Sequence, residues 1–566
     1  MFLKFVTNHD FAQDLESLDD PAADHIPGRL PDHDSNSVRG FKLEKQWMRE
    51  CEVRHPNCPK SQSTLPTRVL DLYPIDNSDD LRLSISNGAL GRYACLSYCW
   101  GSGSQSIQLN SSNLLSLVKR ISFKLLPRSI QDAILTVRRL GLRYLWIDAL
   151  CIIQDSLDDK AQQIEQMHEV YSNAYLTISA ANADDCSRGF LAKRDRLCSG
   201  GDVPPIRLPF LCSKGGKGRF LRPKGGVGNV TLVTYGTPTR REPLYRRSWP
   251  FQEYLFSPRV LMYGSDQMLW ICQQDNPCGI GATFKDGGPA HDSSVTELKY
   301  MRMFLFRSQV ISPGFARRNL WIDLVIEYSP REQSIPDDKI NALRGIASRY
   351  QHSMEDDYIA GLWKSWLIPG MMWKRSGKIH QRRRRQYPSW SWLSIDSAVT
   401  MDRAHEDLYR PGNSFDVEFI SYMPCPSGQT LSPFGLLPEA TLQMRGHLKK
   451  LESPEWQAML SSYSGVIEAQ KTSLQPQPAR VILDTVELTV PNVMPVEVPG
   501  PVWCFPMIRV HVADESTDKY IGYAVQGLVL LQKQESGVFE RIGWFISEVE
   551  EYASLVTEAR QDLLIG

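Results

Sequence analysis

Trp249 and Glu253 stand four residues apart, a spacing that on a helix puts an aromatic plane and a carboxylate on one face. A carboxylate so placed can accept a proton or stabilise a developing positive charge, with the ring as a stacking surface. The plainer use is structural: tryptophan is commonly core, and a helical glutamate commonly pairs on the surface with a neighbour, here Arg246, Arg247 or Arg259. Cys51, His55 and Cys58 offer zinc three ligands. A structural zinc site takes four, the sequence designates no fourth, and Pro56 disturbs a helix through the trio. The expectation is therefore a packed cysteine pair beside a partly buried imidazole, with no metal. Cys151 would need a base to act as a nucleophile, and His168 is the nearest candidate, but no cysteine-hydrolase pattern surrounds either. Lys374, Arg375, Lys378 and Arg382 to Arg385 form a dense basic run, read as a solvated loop because no nucleic-acid module accompanies it. The stretches Ser213-Lys-Gly-Gly-Lys-Gly-Arg219 and Gly225-Gly-Val-Gly228 lack the Gly-Lys-Ser/Thr ending of a phosphate loop and read as flexible surface.

The elements that must hold these groups are most legible between Tyr93 and Ala181. Tyr93 to Trp100 is short and β-prone, and the turn Gly101-Ser-Gly103 follows it. Pro127 opens a helix whose Ile130, Ala133, Ile134 and Val137 share one face, with Gly141 at its C-terminal cap. Tyr144 to Ile153 is almost continuously apolar, as a strand covered on both faces would be. A second helix over about residues 160–173 leads to the apolar strand Tyr175 to Ala181. Strand, helix, strand, helix, strand with short links is a doubly wound α/β pattern. Ligands of such sheets sit beyond the carboxyl ends of the strands, which nominates Ser97, Tyr98, Trp100 and Gly101 after the first strand and Asp148, Cys151 and Gln154 on the second. For Asp148 and Gln154 the competing role is the satisfaction of local backbone groups.

Outside this core the chain divides into a loosely ordered leader (1–40), a lead-in segment (41–91) with a short helix at Gln46 to Val53 and extended runs at Arg68 to Leu72 and Leu81 to Ile85, and the α/β domain itself (92–272). A polar Gly- and Pro-rich insertion at about 184–245 interrupts that domain before a helix at Trp249 to Phe256 and a strand at Val260 to Tyr263. A helical and Trp-rich region (273–400) follows, with helices expected at Tyr300 to Val310, Leu320 to Tyr328, Lys339 to Tyr350 and Asp356 to Trp366. Pro388 to Leu393 alternates like a strand. A β-rich C-terminal module (401–566) carries runs such as Ala440 to Arg445, Val481 to Val490, Val502 to Val512 and Ile521 to Leu531.

A chain of 566 residues with 42% hydrophobic and 23% charged residues can bury a large core. Its 64 basic and 64 acidic side chains create no global field for nucleic acid or an anionic membrane. No apolar run approaches a membrane span, and the twelve scattered cysteines with no secretory signal point to a reduced, cytoplasmic setting, with the nucleus open to a soluble chain.

Five blocks in order resemble the heterokaryon-incompatibility (HET) domain of filamentous fungi. They are Tyr93-Ala-Cys-Leu-Ser-Tyr-Cys-Trp-Gly101, Leu126-Pro-Arg-Ser-Ile-Gln-Asp-Ala133, the run from Leu140 to Asp155, Met167 with Val170 to Ala180, and Arg247-Ser-Trp-Pro-Phe-Gln-Glu-Tyr-Leu-Phe-Ser-Pro-Arg-Val260. Trp47 with Cys51, His55, Cys58 and Pro66 resembles the family's lead-in, while Ala360-Gly-Leu-Trp363 and Pro388-Ser-Trp-Ser-Trp392 resemble downstream blocks. The resemblance implies a role in self/non-self recognition and programmed cell death, acting with a protein partner or by self-association. It also implies a likeness to TIR domains, with a flavodoxin-like parallel sheet bearing helices on both faces, and some TIR domains cleave NAD. Ser248-Trp-Pro-Phe-Gln-Glu253 is similar to the TIR segment in which a Trp and a Glu lie four apart at the start of a helix, although Pro250 and Gln252 stand in the intervening positions. On that likeness Glu253 would stabilise an oxocarbenium-like state at the ribose, Trp249 would stack on the base, and Ser97, Tyr98, Trp100, Gly101 and Asp148 would line the NAD site. NAD is then a substrate, and no resident cofactor is expected. A non-catalytic module that signals by association is the other reading.

Overall fold

The computed structural model describes residues 2–6, 34–73, 79–101, 103, 107–193, 206–212, 226–235, 242–265, 267–273, 278–279, 301–302, 315–333, 338–376, 386–401, 414–424, 440–452, 455, 480–484, 500–513, 520–533, 536–548 and 559–566. The chain divides into two compact units, Met1–Arg307 and Ser308–Gly566.

The first unit is built on an eight-stranded sheet. In chain order its main elements are α1 (Val38–Arg54), β1 (Arg68–Asp71), β2 (Arg82–Ile85), β3 (Tyr93–Ser97), α2 (Arg128–Arg139), β4 (Tyr144–Trp146), α3 (Leu157–Asn173), β5 (Leu176–Ser179), α4 (Trp249–Phe256), β6 (Arg259–Tyr263), β7 (Met268–Cys272) and β8 (Cys278–Gly279). Across the sheet the order is β8-β7-β6-β5-β3-β4-β1-β2. The four central strands β6, β5, β3 and β4 are mutually parallel. The outer strands are antiparallel, β7 and β8 on one flank and β1 and β2 on the other. The expected parallel layer is therefore the centre of a mixed sheet. Antiparallel strands suit the flanks because short connections can append them, whereas each parallel addition needs a crossover. The extended runs of the lead-in are two of these flanking strands.

Each parallel strand is mostly apolar and buried along its length apart from Tyr144 at the start of β4, as expected for strands covered on both faces, with Arg259, Ser97, Thr177 and Ser179 as buried polar exceptions. In α2 the predicted face of Ile130, Ala133, Ile134 and Val137 is fully buried, Arg138 and Arg139 occupy the last turn, and Gly141 takes φ +80° just past the C-cap. Ser156 caps α3 by accepting from the Asp159 amide (3.2 Å), ahead of Asp158 and Asp159 in the first turn. The α1 helix buries Gly40, Glu44, Trp47 and Cys51, one stripe at helical spacing. The apolar run from Tyr144 to Ile153 is not all strand: β4 stops at Trp146 and a helical turn, Asp148–Cys151, follows. Continuous hydrophobicity reports burial but cannot separate a buried strand from a buried turn of helix.

Within the insertion, Ile206–Cys212 and Gly226–Tyr235 pair antiparallel, and Phe2–Val6 from the leader adds to the second of them. Gly226 to Gly228 are thus strand rather than loop, and the leader contributes a strand. Ser213 to Arg219 lie outside the described residues, as do Lys378 and Arg382 to Arg385 of the basic run and all of the expected helix at Tyr300 to Val310 except 301–302.

In the second unit, α5 (Phe315–Tyr328) and α6 (Asp338–Met354) accompany a nine-stranded sheet. Its longest strands are β9 (Val502–Ala513), β10 (Tyr520–Gln532) and β11 (Phe539–Glu548), which pair antiparallel in sequence order. The expected helix from Asp356 to Trp366 is instead a hairpin, Tyr358–Ile359 with Leu362–Trp363, turning at Ala360 (φ +45°) and Gly361 (φ +88°) and followed by a 3-10 turn. Pro388 to Leu393 forms turns rather than a strand, and both Trp390 and Trp392 are completely buried within this unit. Of the run at Val481 to Val490, residues past 484 lie outside the described ones. No helix among the described residues is long and apolar enough to cross a membrane.

Candidate active site

Because β3, β4 and β5 run parallel, their carboxyl ends share one rim. The ladder pairs Cys95 with Trp146 and Ser97 with Ser179, so Ser97 at the end of β3 lies level with Asp148, just past β4, and beside the end of β5. The chain passes from β3 to β4 on one side and then to β5 on the other, so the order reverses at β3, where open α/β sheets bind their ligands.

Glu253 reaches this rim on α4, in which every residue but Trp249 is buried. Two hydrogen-bonded contacts to β5 locate that helix. Ser257, its C-cap, donates to the Glu253 carbonyl (2.6 Å) and so accepts from the Thr177 hydroxyl (2.6 Å), and Ser179 pairs with Tyr245 (2.9 Å) in the preceding turn. Arg302 donates to the carbonyls of Tyr254 (2.8 Å) and Ser257 (2.6 Å), supplying a cation where the helix dipole is negative.

Glu253 as a residue is 7% exposed, and the Oε2 of its carboxyl is buried with no hydrogen-bond partner. Burial pushes its pKa up to about 7; the Ser97 hydroxyl pulls down, the Asp148 charge pushes further up, and Tyr171 and Arg247 pull down. Asp148 has its own pKa pushed up to about 6 by burial, against the Ala149 amide, the Trp100 indole, Arg247 and Tyr98. Its Oδ2 accepts from Trp100 Nε1 at 3.0 Å and its Oδ1 from the Ala149 amide at 2.7 Å. Both carboxyls are displaced toward neutrality by burial, the Asp148 charge adds to the rise at Glu253, and the Arg247 guanidinium pulls both down.

Gly101, just past the end of β3, packs closely against Asp185. Its φ is +96°, and a Cβ there would lie 1.8 Å from Asp185 Oδ2 and 2.5 Å from Asp185 Cγ. Gly101→Ala therefore meets both backbone strain and a clash and is expected to cost about 2 kcal/mol. In thermal denaturation, Asp185→Ala should restore only the clash component; full restoration would show that φ is unimportant.

Of the residues nominated from sequence, Ser97, Tyr98, Asp148 and Glu253 are joined by direct electrostatic or hydrogen-bonded interactions, Trp100 is tied to Asp148, and Gly101 packs on Asp185 beside it. Trp249 is half-buried at the first turn of α4. Glu253 is not the surface ion-pair partner of Arg246 or Arg259; Arg259 lies within the sheet and is fully buried. Gln154 donates to the carbonyls of Asp148 (3.1 Å) and Ile152 (3.2 Å), the backbone role weighed for it. Cys151 and His168 do not meet: the thiol is buried with its pKa pushed up to about 12 by desolvation, and His168 Nδ1 contacts its own helix at Glu165 O (2.9 Å). Tyr171 was missed as a site member, and Arg247, weighed only as a surface partner of Glu253, acts on Asp148 as well. Tyr171 sits on the apolar stripe of α3 and reads as core, and Arg247 lies one residue before the α4 cap, where only the fold reveals that it serves two acids.

No solved structure matches this chain. Heterokaryon incompatibility protein 6, OR allele, of Neurospora crassa is 29% identical over 121 residues, which are 20% of this chain and 18% of that protein, so the similarity spans under a fifth of the relative's length. Glu253 and Trp249 lie beyond the stretch that matches a family model, whereas Ser97, Tyr98, Trp100, Gly101 and Asp148 lie inside it: residues 93–206, holding β3, β4 and β5, match the heterokaryon incompatibility protein (HET) family.

Proposed function

We propose that this protein acts in heterokaryon incompatibility, as a self/non-self recognition and cell-death factor, and that its rim of buried acids hydrolyses NAD to nicotinamide and ADP-ribose. The match over 93–206 supports the first part. The second rests on one observation: Glu253, carried on a helix some hundred residues further along, meets Ser97 and Asp148 at the reversal point of the parallel strands with a pKa near 7. The strand order second-first-third-fourth among the parallel strands also favours the flavodoxin-like, TIR-like reading of this layer.

In this reading the bond between C1′ of the ribose and the ring nitrogen breaks, and its electron pair leaves with neutral nicotinamide. The oxocarbenium-like centre left behind is stabilised by the Glu253 carboxylate. Water then adds at C1′ and gives up one proton, which Glu253 can take because its pKa lies at the working pH. The half-buried rings of Trp249 and Trp100 offer planes for stacking, and Arg247 moderates the charge of both acids. Because Glu253 is sealed from water, we infer that association with a partner or a second copy opens the rim.

Purified full-length protein incubated with NAD, alone and fused to a dimerising module, tests this. Nicotinamide release is expected chiefly from the dimerised form. Cell killing without any release from either form would favour a non-catalytic association module.

A further inference from the structure

Beside the flank of the sheet, four side chains from two distant segments converge. Cys51 lies in the last turn of α1, His55 is that helix's C-cap, and Cys58 follows in a turn closed by its amide on the His55 carbonyl (3.4 Å). The fourth is Cys272, the last residue of β7, 217 positions from His55. One ligand atom from each of the four lies within 4.8 Å of the others. Among the described residues no other group of three or more His, Cys, Asp or Glu side chains gathers this way. The sequence reading of a packed cysteine pair lacked its fourth member, because nothing in the order of residues links a β7 cysteine to the end of α1.

A tetrahedral zinc with bonds of about 2.3 Å to sulfur and about 2.0 Å to nitrogen separates its ligand atoms by about 3.5–3.8 Å. Cys272 Sγ and His55 Nδ1 stand 3.4 Å apart, close to that spacing. A disulfide would use two of the three sulfurs and give no reason for the third or for the imidazole.

Charge supplies an independent argument. Arg259, opposite Cys272 in the β6–β7 ladder, is 0% exposed. Its Nε donates to Cys51 Sγ (3.1 Å), its Nη1 to the Tyr175 carbonyl (3.1 Å) and its Nη2 to the Pro59 carbonyl, and the guanidinium sits over the Tyr175 ring. None of these partners is a carboxylate, and a buried guanidinium without a counter-charge is costly. Zinc on three thiolates and a neutral imidazole carries one net negative charge, which Arg259 balances. An N–H donor to a ligating sulfur is also the kind of outer contact that orients metal ligands.

We propose that Cys51, His55, Cys58 and Cys272 bind one structural zinc ion that pins the lead-in helix to the far end of β7. Binding releases three thiol protons to solvent and leaves no open coordination position, so the ion holds the fold and takes no part in chemistry at Glu253.

Full-length protein purified under reducing conditions should hold one zinc per chain by elemental analysis. Replacement by cobalt should give the intense visible bands of tetrahedral thiolate coordination, and X-ray absorption should resolve three sulfurs and one nitrogen. Cys272→Ser and Cys58→Ser should each lower zinc occupancy at least ten-fold, while Cys186→Ser retains it. Should the ligand variants fail to fold, the two spectra of the unaltered protein decide. Less than a tenth of an equivalent after reconstitution with zinc, stoichiometric iron in its place, or full zinc in Cys272→Ser would overturn the proposal.

Discussion

Glu253→Gln is expected to stabilise the first unit by up to about 3 kcal/mol at pH 8 and to leave it nearly unchanged at pH 4. The carboxyl has an ordinary pKa of 4.5 and one of about 7 in the fold, because burial disfavours its charge. Between those pH values the folded chain keeps a proton that the unfolded chain has already lost. Stability is therefore full below pH 4.5, declines as pH rises through the window, and has lost the whole increment above pH 7. Gln is close in shape and cannot ionise, so the decline due to this residue disappears. Glu44, also pushed up to about 7 by burial while accepting from Tyr263 (2.8 Å), and Asp148, at about 6, leave a residual slope of the same sign. Calorimetry of both proteins from pH 4 to 8 checks this, with the transition of the first unit followed by itself since two units need not melt together. Parallel curves for the two proteins would show that Glu253 carries no raised pKa.

The same substitution should abolish most nicotinamide release, with kcat lower by roughly 10² to 10⁴-fold, the range for loss of a charge-stabilising or proton-transferring group. KM should move far less, because the carboxylate acts on charge that appears only as the bond breaks. Asp148→Asn should instead shift the pH profile of the remaining activity toward lower pH, since the Asp148 charge is one of the causes holding the Glu253 pKa up. A variant both more stable and inactive is the expected mark of a site that keeps an acid where the fold alone would not. Retention of wild-type turnover by Glu253→Gln would remove this residue from the chemistry.

Much of the parallel core is legible in the sequence. The apolar stripe of α2, its glycine cap and the strands β3 and β5 follow from periodicity and turn residues, whereas Glu253 is nominated by the likeness of Ser248 to Glu253 to a TIR segment. What escaped depends on contacts between distant segments. Arg247 reads as one more surface cation until the fold sets it near two acids, and Cys272 reads as a strand residue until β7 brings it to α1. The hairpin at Ala360 and Gly361 escaped for a local reason: its flanking residues are apolar at intervals a helix would also allow, and only the two positive φ values decide against one.

The pairing of β5 with β6 and of β4 with β1 bears on how the protein should be dissected. A fragment trimmed to the family-matched residues 93–206 would retain three neighbouring parallel strands but surrender the partners on both sides, baring two ladders of amides and carbonyls made for burial. Excised in that way the segment is a template for sticking to its own copies, and it also lacks the helix that carries Glu253. A span from β1 through β6 keeps both of those borders closed, and one from α1 through β7 also keeps the outer neighbour of β6.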